Sequence, residues 1–304
     1  MIHEYALDPE LLKVWANNDR DYHEFFREYG LGTPRLSSSF PGQRSSTYRK
    51  FYLEKRPADE QSLQAQRYLE MVRYLAEALV CRDGFECDAS ADWYENVLAE
   101  DARKPFYGVL ASTPMDNPRC LTVETMYSDK SIWNHQRQAL VARTYDSCSP
   151  LLRDMLRLAK DKVLFVDPYG WNQRAIDFIG RLINDAFNGR VHSAVPELIL
   201  CFKPKRDGGS PGAAYVKEQI EKRIVKPNPG VQLKVYELEY REGHDVFHNR
   251  YLLTDLGGVS LGHGVDLSED EVHTDDLTLL ARNVYDEKWR RFVDMTDFTI
   301  LSQA

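Results

Sequence analysis

The residues best suited to chemistry lie in one short segment, residues 244–266, which reads HDVFHNRYLLTDLGGVSLGHGVD. It contains His248, Arg250 and Asp255 in the pattern H-x-R-x4-D. Along a strand, His248 and Arg250 would share one face because successive side chains alternate. An imidazole can attack phosphorus or transfer protons, and a guanidinium can bind phosphate oxygens. We therefore take these three residues as candidate catalytic residues, with Asp255 orienting an imidazole.

Further candidates follow two predicted strands. Gly262 and His263 come after a return strand, where a glycine lets the backbone approach a ligand closely. His263 is either a second imidazole in the same pocket or an ordinary loop residue. Asp167 and Tyr169 follow a short apolar strand, and open α/β sheets bind ligands at the carboxyl ends of such strands. Asp167 has the alternative role of capping the next helix.

A local excess of positive charge lies within residues 203–226, where seven basic residues stand against three acidic ones. Lys203, Lys205 and Arg206 belong to a Gly/Pro-rich loop after a predicted strand, near the same sheet edge as the motif. Such a loop can guide a phosphodiester backbone. The alternative is a solvated loop and helix face, which is the usual role of a charge cluster.

The second half of the chain alternates strands with helices. The predicted elements are strands at 162–166, 197–202 and 231–238 and helices at 173–187 and 213–225. This alternation gives βαβ units, so we expect an α/β fold with a largely parallel sheet flanked by helices. The pattern changes near Tyr145, which predicts two domains, residues 1–148 and 149–304.

The first half of the chain is predicted to be mainly helical. One helix pattern covers about residues 60–80, and Asp8-Pro9 begins another that continues to Gly30. The polar stretch between them, residues 32–46, is expected to be a loop in which Arg35 is solvated. We assign this half to partner binding or regulation.

The composition argues against several classes of protein. The 304 residues carry a formal net charge of −8, which argues against coating nucleic acid through bulk charge. No apolar stretch approaches the roughly 18 residues of a membrane span, and the N-terminus lacks a signal pattern. The five scattered cysteines fit reduced thiols and give no zinc spacing. We therefore expect a cytoplasmic protein without a transmembrane segment.

The H-x-R-x4-D motif and its glycine return resemble the phospholipase D superfamily, over about residues 150–292. That family has H-x-K-x4-D followed by a small-residue motif, and its histidine forms a phospho-histidine while its lysine holds the phosphate. Here Arg250 stands in place of the lysine, and residues 262–266, GHGVD, stand in place of Gly-Ser-x-Asn. The variant also looks like the C-terminal domain of microtubule-interacting-and-trafficking proteins, which binds anionic lipid, and like bacterial relatives found near antiviral genes.

The resemblance implies a phospholipase D-like mixed sheet and metal-independent chemistry without a cofactor. Asp275 and Asp276 are then expected to cap an element or to orient His248. A single motif implies a homodimer that brings two copies of His248 together. We expect a phospholipase D-like protein that recognises phosphodiester bonds of nucleic acid in bacterial antiviral defence, and cleaves them if the altered motif is active. The alternatives are a non-catalytic phosphate-binding or assembly module of a multi-protein complex, such as a defence complex, and a peripheral protein that binds anionic phospholipid.

Overall fold

The structure of the chain is a computed structural model. It describes residues 1–128, 132–205, 209–224, 230–243, 246–268 and 272–304. The chain divides into two compact units: the smaller unit comprises residues 2–136 and 191–193, and the larger unit comprises Met1 with residues 137–190 and 194–304. This division lies before the predicted boundary at residue 148. Two elements that begin before residue 148 belong to the larger unit: an edge strand, Gln138–Ala142, and a helix, Tyr145–Leu158. The predicted boundary would leave that strand and the start of that helix in the first domain.

The smaller unit combines a parallel sheet with helices. Its described strands are β1 (His3–Leu7), β2 (Arg35–Ser37), β3 (Gly108–Leu110) and β4 (Cys120–Leu121), in the order β2-β1-β3-β4. Its described helices are α1 (Pro9–Asn17), α2 (Asp19–Glu28), α3 (Ser45–Glu54), α4 (Leu63–Leu75) and α5 (Trp93–Arg103). Side chains alternate along β1, so Tyr5 and Leu7 join the core formed with α1–α4, whereas Ala6 joins Val97 of α5. The sequence predicts a mainly helical first half, and the structure adds a four-stranded parallel sheet to the helices of this unit.

Two local expectations for the smaller unit are wrong. The helix expected from Pro9 to Gly30 is two helices, because the chain leaves the helical conformation at Asn18, whose side chain caps α2. Arg35 is buried in β2, where it donates to the Glu28 carboxylate and to the carbonyl of Trp133. A guanidinium can be buried when acceptors of this kind satisfy its donors.

A second buried arginine connects the small sheet to a helix. Arg82 is fully buried, and its Nη2 and Nη1 lie 2.7 Å from Glu4 Oε2 and 2.7 Å from Glu100 Oε1, respectively. Glu4 belongs to β1 and Glu100 to α5. One guanidinium therefore pairs with two carboxylates inside the smaller unit, where Glu100 also pairs with Arg103, and it holds α5 beside the sheet.

The larger unit is built on one mixed sheet. Its described strands are β5 (Gln138–Ala142), β6 (Lys162–Val166), β7 (Glu197–Phe202), β8 (Gln232–Tyr240), β9 (Tyr251–Thr254), β10 (Gly257–Leu261), β11 (Thr274–Leu279) and β12 (Phe298–Gln303), in the order β12-β8-β7-β6-β9-β10-β11-β5. Its described helices are α6 (Tyr145–Leu158), α7 (Gln173–Phe187), α8 (Gly212–Glu221) and α9 (Arg282–Asp294). β6, α7 and β7 have the bounds that the sequence predicts.

Parallel pairing joins β6, β7 and β8, with α7 and α8 as the crossovers, and the other neighbours pair antiparallel. Helix α7 packs between α6 and α8, whereas α9 packs on β10 and places Phe292 against Tyr251 of β9. The predicted α/β class, a mixed sheet flanked by helices after a mainly helical region, is confirmed. In the described ranges, no helix has the length and apolar character needed to cross a bilayer.

Strand directions bring distant parts of the chain to one edge of the large sheet. The carboxyl ends of β6, β7 and β8 share this edge because the three strands are parallel. In the antiparallel pair β6–β9, Val166 lies opposite Tyr251, so the residues just before β9 lie at the same edge. Strand β10 returns there, with Ser260 opposite Tyr251. We call this the convergent edge: the residues that follow β6, β7, β8 and β10 and those that precede β9.

Candidate functional site

His248 and Arg250 lie in the segment that leads into β9 and not on the strand itself. Residues 248–250 are irregular, and β9 begins at Tyr251. The expected strand geometry is therefore wrong, although both residues reach the convergent edge. Phe247 anchors the segment, because its buried ring lies 5.4 Å from the Phe292 ring and 5.8 Å from the Phe298 ring, measured between centroids.

The side chain of Arg250 is held by a carbonyl and a carboxylate. Its Nη1 donates to the carbonyl of Gly262 at 3.1 Å, and its Nε lies 3.9 Å from Asp167 Oδ1. Its Cζ lies 5.4 Å from the centre of the Tyr169 ring. Within the described ranges, the buried Nε has no hydrogen-bond partner. The guanidinium therefore has a defined position beside Asp167 and the Gly262 carbonyl.

Asp167 positions this arginine. It directly follows β6 and is 2% exposed. Its Oδ1 accepts the backbone N–H of Tyr169 at 2.8 Å, and its Oδ2 accepts that of Val265 at 3.0 Å. Burial raises the pKa of the Asp167 carboxyl, while these two hydrogen bonds and Arg250 oppose the rise. The cap of α7 is Asn172, so Asp167 is neither the helix cap nor an open phosphate contact.

Two glycines allow the segment after β10 to pack against charged side chains. Gly264 has a φ of +79°, and a Cβ there would lie 2.2 Å from Asp167 Oδ2 and 2.6 Å from Arg250 Cδ. A Cβ at Gly262 would lie 2.4 Å from Asp275 Oδ1. Gly264 therefore allows close packing against Arg250 and Asp167, and Gly262 allows close packing against Asp275. The sequence suggested instead that these glycines let the backbone approach a ligand.

Asp275, one of the residues expected to orient His248, lies beside His263. Asp275 is buried in β11, accepts the His263 backbone N–H at 2.9 Å and places its Oδ1 3.7 Å from His263 Nδ1. Burial raises the pKa of Asp275, and the hydrogen bonds it accepts oppose the rise. In the part of the chain that the structure describes, the His248 imidazole makes no hydrogen bond. Asp275 thus holds the backbone of the second histidine and lies within ion-pair distance of its imidazole.

Asp255 lies at the opposite edge of the large sheet. Strand β9 separates it from His248, since Thr254 pairs with Val163 near the start of β6. Its carboxylate accepts the backbone N–H of Lys160 at 3.2 Å. Asp255 therefore ties the turn after β9 to the turn before β6, and this position does not fit the expected role of orienting His248.

Lysines and aromatic rings meet at the convergent edge. Lys203 Nζ lies 5.6 Å from the centre of the Tyr169 ring, and Lys205 Nζ lies 5.6 Å from the centre of the Trp171 ring. The two ring centroids are 6.4 Å apart. These distances allow cation–π attraction, so the residues after β6 and β7 form one mixed basic and aromatic surface. The predicted Arg206 lies outside the described residues.

A cavity of about 570 Å³ opens beside His248. Its wall is formed by Lys203, Pro204, Lys205, Leu238, Glu239, Tyr240, Val246, Phe247 and His248. Tyr240, half exposed at the end of β8, is a wall residue that sequence reasoning missed. The available signal was an aromatic residue just beyond a predicted strand, at the edge where the other candidates lie.

The charges around the cavity suit an anion. Lys203 and Lys205 in the wall and Arg250 at the same sheet edge supply cations, against Glu239 in the wall and the buried Asp167. Fixed cations beside an imidazole can bind a phosphate group and stabilise negative charge on its oxygens. Among the described residues, no group of three or more His, Cys, Asp or Glu side chains is placed to hold a metal ion.

Comparison with known proteins gives distant structural similarity. No protein-family model and no curated protein matches the sequence. A phospholipase D family member, Nuc from Salmonella typhimurium, is similar with a TM-score of 0.32 and 8% identity, over 54% of this chain and 97% of that chain. TrmBL2, an archaeal chromatin protein described with a novel mode of DNA binding, has a TM-score of 0.29 and 13% identity, over 80% of this chain and 73% of that chain. At such scores the function has to be argued from the site.

Proposed function

We propose that the larger unit binds a phosphodiester group of nucleic acid beside His248 and that His248 attacks the phosphorus atom. The observation that carries this proposal is the guanidinium of Arg250, held by the Gly262 carbonyl and by Asp167, two residues from an exposed histidine. A planar guanidinium can bind two phosphate oxygens at once. Lysines at the same edge supply further charge for a phosphodiester backbone.

The resemblance to phospholipase D implies two successive displacements. The Nε2 of neutral His248 attacks phosphorus, a P–N bond forms, and the P–O bond to the leaving alcohol breaks as that oxygen takes a proton. Water then loses a proton and attacks phosphorus, the P–N bond breaks, and the imidazole is restored. Arg250 stabilises the charge on the non-bridging oxygens in both steps.

A second acid and base must supply and accept the proton in these steps. The resemblance implies a homodimer in which His248 of a second copy does so. His263, held by Asp275, is the candidate within one chain. The homodimer, membership of a defence complex and the setting in bacterial antiviral defence rest on the resemblance alone.

A second candidate function is phosphate recognition without cleavage. It is favoured by the position of the carboxylates: Asp255 lies at the far edge, and Asp275 serves His263. Without a carboxylate partner, an imidazole lacks the group that selects its reactive tautomer. In this case the cavity beside His248 would bind phosphate groups for an assembly.

The experiment measures binding and cleavage of labelled single- and double-stranded DNA and RNA, with EDTA present throughout. Arg250→Ala is expected to weaken binding at least tenfold, because it removes charge-assisted hydrogen bonds. His248→Ala is expected to abolish cleavage and to retain most of the binding. The matched control is Arg153→Ala, which removes an equal charge from an exposed site on α6.

Each outcome has a distinct meaning. Cleavage that survives EDTA and is lost in His248→Ala supports the phosphodiesterase. Binding that depends on Arg250, without cleavage, supports the recognition module. Arg250→Ala and Arg153→Ala with equal affinity would refute both, and binding to anionic vesicles but not to oligonucleotides would support the lipid-binding alternative instead.

A further inference from the structure

We infer that the cavity beside His248 accepts an unstacked base, so that the nucleic acid bound at this site is single-stranded. The inference rests on the proposed phosphodiester function and names its substrate class. It is carried by the make-up of the cavity wall, which joins cations to apolar and aromatic side chains. A site for phosphate alone needs the cations, whereas a base needs apolar and aromatic contacts as well.

Tyr240 is the wall residue best placed to stack on a base. It occupies the last position of β8, and its side chain is 50% exposed. The neighbouring wall residues Leu238 and Phe247 are buried, whereas Val246 is 40% exposed and adds an accessible apolar side chain to the wall. An aromatic ring of this kind stacks on any base, because every base has a π face.

The size of the cavity favours a single base with its sugar and phosphate. About 570 Å³ lies within the range of pockets that enclose one small organic ligand. A base in a duplex is paired and stacked, so it can enter only after it has been unstacked at a free-energy cost. A base in a single strand is already exposed and does not require this unstacking. The difference in free energy gives the preference for single-stranded nucleic acid.

The surface next to the cavity can contact the rest of the strand. Lys203 and Lys205 belong to the cavity wall and also lie over the Tyr169 and Trp171 rings. Tyr169 is 42% exposed, so part of this residue is accessible to a ligand. Basic side chains that alternate with aromatic rings contact the phosphates and the bases of one strand in turn.

The test compares two oligonucleotides of equal length and charge, oligo(dT) and a fully abasic strand, by fluorescence anisotropy in EDTA. Wild type is expected to bind oligo(dT) on the order of tenfold more tightly than the abasic strand, and more tightly than the oligo(dT)·oligo(dA) duplex. Tyr240→Ala should remove most of this preference without changing affinity for the abasic strand. Tyr240→Phe should restore it, because phenylalanine keeps the ring.

The control is Tyr215→Ala, which removes an exposed tyrosine from α8 that does not line the cavity. Equal affinity of wild type for oligo(dT) and the abasic strand, with binding still dependent on Arg250, would overturn this inference alone. An unchanged preference in correctly folded Tyr240→Ala would do the same. Failure of wild type to bind any of the three ligands would overturn the proposed function, and this inference with it.

Discussion

Gly264→Ala tests whether the close packing around Arg250 is essential to the site. At this glycine the φ of +79° is a conformation that residues with a Cβ rarely adopt. The added Cβ would also lie 2.2 Å from Asp167 Oδ2 and 2.6 Å from Arg250 Cδ, well inside normal contact. Something must move, and the flexible side chain of Arg250 moves most easily. We therefore expect a loss of stability together with a loss of anion binding.

The magnitude follows from two separate costs. Placing a Cβ in the left-handed region costs about 1–2 kcal/mol. Forcing extra volume into a packed site costs about 1–3 kcal/mol. The free energy of unfolding of the larger unit should therefore fall by about 2–5 kcal/mol, which a domain of ordinary stability survives. Displacement of Arg250 should weaken oligonucleotide binding at least tenfold, as in Arg250→Ala.

Gly212→Ala is the matched control. Gly212 has a φ of +75°, and a Cβ there would meet no atom within 4 Å. The control therefore carries the backbone cost alone, about 1–2 kcal/mol. Urea unfolding followed by tryptophan fluorescence measures the free energy of unfolding of both variants. Trp171 and Trp289 report on the larger unit. Because the chain has two units, the unfolding curve is fitted with a separate transition for each unit.

The reasoning is refuted if Gly264→Ala loses no more stability than Gly212→Ala. It is also refuted if Gly264→Ala is destabilised as expected but binds oligonucleotides like wild type. In the second case the position of Arg250 would have no influence on binding, and the main support for the proposed function would be lost.

Three further predictions concern charged residues. Asp255→Asn should leave oligonucleotide affinity unchanged, because Asp255 lies at the far edge of the sheet. Burial raises the pKa of Asp255 in the folded protein, so the folded state binds this proton more tightly than the unfolded state does. In urea unfolding, the stability of wild type relative to this variant should therefore fall as the pH rises from about 4 through that pKa. Arg82→Met should lower the free energy of unfolding of the smaller unit by about 3–5 kcal/mol, because Glu4 would stay buried without a counter-charge and Glu100 would keep only Arg103 among its described partners; urea unfolding measures this. Glu239→Gln should tighten oligonucleotide binding about two- to fivefold, measured by fluorescence anisotropy at low salt, since it removes a negative charge from the cavity wall. Weaker binding by this variant would contradict a phosphate in the cavity.

Local sequence patterns predict much of the larger unit. The bounds of β6, α7 and β7 follow from short apolar runs and an amphipathic helix between turn residues, which are properties of neighbouring residues. The smaller unit shows where such patterns fail. Strand β2 is polar in sequence, and Arg35 can be buried there only because Glu28 and the Trp133 carbonyl are close in space. No local pattern contains that information.

The candidate site was predicted in part. The sequence selects His248, Arg250, Lys203 and Lys205, and the topology of the sheet brings their segments to one edge. The expected role of Asp255 in orienting His248 is wrong, and the spacing of these two residues along the chain already indicates why. Its position seven residues after His248 corresponds to about 23 Å of extended chain, far beyond hydrogen-bond reach. The pairing of His263 with Asp275 depends instead on the register between β10 and β11, which a single sequence does not reveal.

The net charge of the chain helps to decide how this site can bind nucleic acid. A formal charge of −8 repels a polyanion at long range, whereas the cations of the convergent edge act only within a Debye length of about 8 Å at physiological salt. Asp167 and Glu239 offset part of that local charge. On the proposed function, affinity would therefore come from direct contacts, namely the Arg250 guanidinium on the phosphate and aromatic rings on the bases, because the net charge of the chain gives no long-range attraction. This balance favours a ligand whose bases are accessible, and it predicts a weaker salt dependence than that of a basic nucleic-acid-binding surface.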